Sequence, residues 1–126
     1  MNSINISFDF DGTLRSNIAV QSLASMLSNT PSKYNLFIIT RRYCDGFEDV
    51  EVIQFANSLD IPKERVIFTN REYKRDALVA NRIDVHIDDD SDELAFIRYE
   101  DDVYVLCTIN SYWINDFWKI INDTLR

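Results

Sequence analysis

Apolar residues along the chain recur with two alternating periods, one near 2 and one near 3.6, and that alternation outlines a fold. From Ile4 to Phe10 the positions Ile4, Ile6, Phe8 and Phe10 share one parity, with Asn5, Ser7 and Asp9 between them, which predicts a strand. Ile18 to Leu27 carries apolar residues at helical spacing and is broken by Asn29-Thr30-Pro31-Ser32. Leu36 to Ile39 is a second strand, apolar throughout and therefore expected to be buried on both faces. Phe47 to Leu59 predicts a helix with Val52, Phe55, Ala56 and Leu59 on one side, followed by a third strand, Arg65 to Phe68, and a third helix within Glu72 to Arg82. Asp84 to Ile87 is a fourth strand that runs straight into acidic residues. Ser91 is placed to cap a helix with Leu94, Ala95 and Ile97 as core positions. Val103 to Cys107 is a fifth strand, and Ser111 is placed to cap a last helix striped by Ile114, Phe117, Trp118, Ile121 and Leu125.

Five strands alternating with five helices predict an α/β domain: a three-layer, Rossmann-like arrangement with a mainly parallel five-stranded sheet and helices on both faces. A length of 126 residues fits one compact domain, residues 1–126, and no repeat, low-complexity stretch or linker divides it. Composition changes this picture little. The longest apolar runs are strand-sized, so no membrane association is expected. The start of the chain shows no basic segment followed by an apolar one, and Cys44 and Cys107 form neither a disulfide framework nor a metal knuckle. A reducing cytoplasm is the expected compartment.

Charge matters more. A net charge of −8 disfavours non-specific contact with a nucleic-acid backbone. The acidic residues are not spread evenly: Asp88, Asp89, Asp90, Asp92 and Glu93 form one cluster, whereas Arg41, Arg42, Arg71, Lys74 and Arg75 fall in two short basic stretches.

Open α/β sheets bind ligands beyond the carboxyl ends of their strands, near the point where strand order reverses. The residues with chemistry to offer fall there. Asp9 and Asp11 end the first strand two residues apart, so in extended backbone both carboxylates face one pocket, and Gly12 permits a tight turn away. Like charges so close need a cation between them or a retained proton, which suits a metal-bound nucleophile beside a general acid; an Asp-Gly turn would give the same letters. Thr40 ends the second strand and offers a hydroxyl to a phosphate oxygen. Lys74, near the start of the third helix, can neutralise a phosphoryl group, with Arg75 as its competitor. Asp88 and Asp89 end the fourth strand and offer the oxygen ligands that Mg²⁺ prefers. Asp90, Asp92 and Glu93 are equally well read as acids favoured at a helix start.

The order of these segments resembles a known family. Ser7-Phe8-Asp9-Phe10-Asp11-Gly12-Thr13-Leu14 resembles the first motif of haloacid dehalogenase-like hydrolases, an apolar strand followed by DxDGT. Phe37-Ile38-Ile39-Thr40 resembles the second motif, Lys74 the third, and Val85-His86-Ile87-Asp88-Asp89 the fourth, so the resemblance spans residues 4 to 108.

The resemblance implies a Mg²⁺-dependent phosphomonoesterase in which Asp9 forms an aspartyl-phosphate and Asp11 serves as general acid and then base. It implies that Asp9, the Asp11 backbone carbonyl and Asp88 hold Mg²⁺, with Asp89 or Asp92 supporting the site. Thr40 and Lys74 would hold phosphoryl oxygens, with Gly12, Thr13 and Arg41 as further substrate contacts. The first strand would lie between the second and fourth. Family members often carry a cap domain, but the segments after the first and third strands each hold only one helix, so none is expected here. An open site suits a phosphorylated small molecule, a nucleotide or a nucleic-acid end, or closure by a second copy of the chain. Arg42, Tyr43, Tyr73 and Arg15 are candidate residues of the mouth. His86 is expected to be a packed core histidine, and Trp113, Phe117 and Trp118 core rather than a base-stacking platform. The alternative is a non-catalytic or phospho-accepting module of related or receiver-like fold, in which the same acids serve signalling.

Overall fold

The computed structural model describes Ser3 to Leu125. Its sheet contains β1 (Ile4–Phe8), β2 (Tyr34–Thr40), β3 (Val66–Phe68), β4 (Val85–Asp88) and β5 (Tyr104–Cys107). All four pairings are parallel and the order is β3-β2-β1-β4-β5. The connecting helices are α1 (Ile18–Ser28), α2 (Asp49–Ser58), α3 (Arg75–Ala80) and α4 (Ser91–Leu94), with α5 (Trp113–Lys119) after β5. Each strand-to-strand connection carries one of α1 to α4, and no cap domain is inserted among the described residues.

Strand parity sorts the side chains into layers. On β2, Leu36 and Ile38 join the main core with α1, α2 and α5, whereas Phe37 and Ile39 point to the opposite face and pack with Leu78 of α3. On β1 and β4, Ile4, Ile6, Phe8, Val85 and Ile87 likewise belong to the main core. The intervening Ser7 and His86 are fully buried on the α3–α4 side. The fold is thus the expected α/β type with helices on both faces. Its strand order also differs from the 2-1-3-4-5 order of receiver-like domains. No described helix is long and apolar enough to cross a membrane.

Several local expectations shift. β1 ends at Phe8 rather than Phe10, because residues 10–14 close a wide turn in which the Leu14 N–H donates to the Asp9 carbonyl at 3.1 Å and the Arg15 N–H to that of Phe10 at 2.9 Å. Gly12 occupies φ +76° within it. The third helix begins only at Arg75, after Asn70 and Arg71 have taken positive φ. Asp90, not Ser91, caps α4, its side chain accepting from the N–H groups of Asp92 and Glu93. Ser111 caps nothing; α5 starts one residue later, with Tyr112 at its N-cap position, and the Asn110 side chain accepts from the Tyr112 N–H instead. Ala95 is exposed and Ile114 lies at the rim of its stripe, while Trp113 and Phe117 are core, with Trp118 packed against them.

Candidate active site

The chain runs from β1 outward through β2 to β3, then crosses back to place β4 on the other side of β1. The carboxyl ends of β1, β2 and β4 therefore converge where strand order reverses, and there a cleft of about 400 Å³ opens. Asp9, Asp11, Thr40, Arg41, Lys74, Asp88 and Asp89 all line it. Neither Gly12 nor Thr13 does. Thr13 is fully buried, and its hydroxyl is shared between Asp9 Oδ2 at 2.9 Å and Asp89 Oδ1 at 3.1 Å, so it orients carboxylates. Gly12 lies against Asp89: a Cβ there would come within 2.3 Å of Asp89 Oδ2. The close approach and the positive φ both require glycine.

Lys74 is the centre of the arrangement. Only 2 % exposed, its Nζ donates to Asp9 Oδ1 at 2.6 Å and to Asp88 Oδ2 at 2.7 Å. Arg75 points away and pairs in fork geometry with Asp101, both contacts 2.8 Å. The choice between the two cations is thus made by the start of α3: two consecutive residues leave the helix in different directions, one inward and one outward.

Asp88 is held from beneath as well as above. His86 Nε2 lies 2.8 Å from Asp88 Oδ2, and Ser7 Oγ lies 2.7 Å from His86 Nδ1, across the β1–β4 register that pairs Ser7 with His86. A carboxylate can only accept, so His86 donates through Nε2 and Nδ1 accepts from the serine hydroxyl. Burial lowers the pKa of His86, which keeps the ring neutral. His86 is thus buried as expected, but as a polar support of Asp88 rather than an apolar filler. The Asp90 N–H donates to the other oxygen of Asp88 at 3.1 Å.

Glu93 is a residue that sequence reasoning passed over as a helix-start acid. It is 2 % exposed, lines the cleft, and accepts the Lys74 backbone N–H on Oε1 at 2.6 Å. Its Oε2 is buried without a hydrogen-bond partner, with Arg41 Nη1 at 3.8 Å. Its position five and four residues after Asp88 and Asp89, next to apolar Leu94, was the available signal. Asp92 is exposed and stands outside the cleft, whereas Asp90 lines it.

Asp11 shares the cleft with Asp9 but not its environment. Arg42 grips it in fork geometry at 2.9 and 2.7 Å and is itself fixed by the Glu48 carbonyl and Glu51. That hydrogen bonding holds the Asp11 carboxyl below its ordinary value. Arg15 pairs with Glu51, and Tyr43 packs under Arg71; neither lines the cleft. Thr40 is buried, and its oxygen accepts the Arg42 N–H at 3.3 Å, leaving the hydroxyl proton free to donate.

The electrostatics are unbalanced in a specific direction. Burial pushes Asp9 up to about 8, the charge of Asp88 adding to that effect and Lys74 opposing it. Burial acts in the same sense on Asp88, but the His86 hydrogen bond and the Lys74 charge outweigh it and hold Asp88 below the carboxylate range. Burial disfavours the Lys74 ammonium, yet the two carboxylates keep its pKa raised. One ammonium therefore serves two buried carboxylates with a third, Asp89, beside them. Oxygen atoms of Asp9, Asp88 and Asp89 lie within 4.8 Å of one another. Three convergent carboxylates are hard oxygen donors, and a small divalent cation fits their chemistry and charge.

No family model, curated protein or solved structure matches this chain.

Proposed function

We propose that the chain is a capless phosphomonoesterase of the haloacid dehalogenase-like type, acting through an aspartyl-phosphate on Asp9. The observation that supports it best is the meeting of Asp9, Thr40, Lys74 and Asp88 from four separate segments in one cleft at the strand ends. A bound Mg²⁺, held by Asp9, Asp88 and Asp89 and by the Asp11 carbonyl as the resemblance implies, would offset the repulsion between carboxylate and phosphoester.

The residues then divide the work. Asp9 attacks phosphorus; the bond from phosphorus to the ester oxygen breaks, and the electron pair leaves on that oxygen. Asp11 gives it a proton, for which it must first leave Arg42. In the second step Asp11 takes a proton from water, the water oxygen attacks phosphorus, and the bond to Asp9 breaks, releasing phosphate and the free carboxylate. Lys74 and the Thr40 hydroxyl hold the equatorial oxygens, where charge accumulates in the transition state. Thr13 and the Ser7–His86 pair keep the acids from turning away from these positions.

The test is Mg²⁺-dependent hydrolysis of a generic aryl phosphate by wild type and Asp9→Asn. Metal-dependent turnover that falls by orders of magnitude in the variant supports the reading. Turnover unaffected by the substitution overturns it. Binding of phosphomonoesters without turnover in either protein would point to a binding module on the same fold.

A further inference from the structure

A second depression opens beside the catalytic cleft, about 620 Å³ in volume and lined by Phe68, Thr69, Glu72, Tyr73, Asp76 and Phe96 among others. It is adjacent to the cleft on two counts. Phe68 pairs with Thr40 in the β2–β3 register, so the two openings are lined from the ends of neighbouring strands. Tyr73 immediately precedes Lys74, so consecutive side chains face the two openings.

We propose that this depression takes the base and ribose of a nucleoside monophosphate whose phosphoryl group occupies the cleft; the inference rests on the phosphatase reading above. Tyr73 and Phe96 lie with ring centroids 4.0 Å apart and planes at 32°, yet they remain 45 % and 48 % exposed. An exposed aromatic pair beside a phosphate site is a platform for a planar apolar group, and every base has such a face. Arg41 marks the boundary. Its guanidinium lies 4.8 Å from the centre of the Tyr73 ring, is fixed by two hydrogen bonds to the Arg71 carbonyl at 3.1 and 2.6 Å, and lines the catalytic cleft. A cation so held can serve the phosphoryl group while backing the aromatic wall.

The polar rim argues for a nucleoside over a longer nucleic acid. Glu72 and Asp76 make no ion pair among the described residues. Free carboxylates accept hydrogen bonds from a ribose diol, as the acidic residue of dinucleotide-binding sites does. Arg75 and Arg98 also line the depression, Arg75 already paired with Asp101, and the net charge of −8 opposes the approach of the further phosphates of an oligonucleotide.

The experiment is calorimetric titration of Asp9→Asn, with Mg²⁺ present, by AMP, ribose 5-phosphate and a 3′-phosphorylated trinucleotide. AMP is expected to bind about tenfold tighter than ribose 5-phosphate, the size of one base stacked on an aromatic face. Phe96→Ala, at a half-exposed position, should bring the two to within about a factor of two, and Phe96→Trp should restore the difference; the unfolding midpoint of each variant verifies that the fold is intact. Equal affinities, an advantage for AMP that survives Phe96→Ala and Tyr73→Ala, tighter binding of the trinucleotide, or no binding of AMP would each overturn the proposal. Failure of the phosphatase reading looks different. Wild type would then hydrolyse no phosphomonoester while Asp9→Asn still preferred AMP; turnover without that preference would remove only the nucleoside subsite.

Discussion

Asp9→Asn should abolish catalysis and at the same time make the metal-free protein more stable. Asp9 is buried beside Asp88, and its pKa rises from 3.8 to about 8. Since the folded-state value lies above the ordinary one, ionisation of this group works against the fold. Its contribution is fully favourable below pH 3.8 and is lost progressively as the pH rises to about 8. At pH 7 an ordinary aspartate would have released its proton about 3 pH units earlier, which at about 1.4 kcal/mol per unit sets an upper figure of about 4 kcal/mol. Asparagine has the shape of the protonated acid and never ionises. Its carbonyl can still accept from Lys74, and Thr13 retains Asp89 as a partner. Urea unfolding at pH 7 in a chelator should therefore give the variant up to about 4 kcal/mol more stability than wild type. Saturating Mg²⁺ should close most of that gap by binding the wild-type carboxylate more tightly. A variant equal to or less stable than wild type in chelator would refute the reasoning, because the cleft would then hold no uncompensated charge.

Three further outcomes follow from other contacts. Gly12→Ala should destabilise by about 1–3 kcal/mol, from positive φ and the collision with Asp89, and should weaken Mg²⁺ binding in a calorimetric titration. His86→Leu leaves the Ser7 hydroxyl and one Asp88 oxygen each short of a partner, so unfolding should show a loss of about 3 kcal/mol and Mg²⁺ affinity should fall about tenfold. Asp101 is drawn down to about 2 by the hydrogen bonds from Arg75 and then from the Arg98 N–H. Its stabilising effect is present above pH 3.8 and lost as the pH falls toward 2, so acid unfolding of Asp101→Asn should lack the part of the transition that wild type shows in that window.

Periodicity in the chain determined the layers. The parity of Ile4, Ile6 and Phe8 and the all-apolar Leu36 to Ile39 specify a sheet covered on both sides, and the helices between them leave only parallel crossovers. The same periodicity put Asp9, Thr40 and Asp88 at strand ends, because a polar residue that breaks an apolar run marks where the run emerges from the core. Local boundaries were less legible. Asp90 displaced Ser91 as a cap, since neighbouring side chains compete for the same few backbone donors. β1 ended early because the backbone of residues 10–14 bonds to itself in a turn that needs Gly12 at positive φ.

What only the tertiary structure decided is which charges meet. Lys74 and Arg75 are adjacent cations with the same local propensity, and the strand order β3-β2-β1-β4 brings one of them over Asp9 and Asp88 while the other turns to Asp101. Ser7 and His86 are 79 residues apart and pair because β1 and β4 lie side by side in one register. Arg42 reaches Asp11 because β2 lies beside β1, and Glu93 of α4 meets the Lys74 N–H at the start of α3, 19 residues away in the chain. Apolar periodicity is a local property, because burial requires only that a residue face inward. A charge under the surface requires a particular partner within about 3 Å, and that partner is supplied by the packing of distant segments.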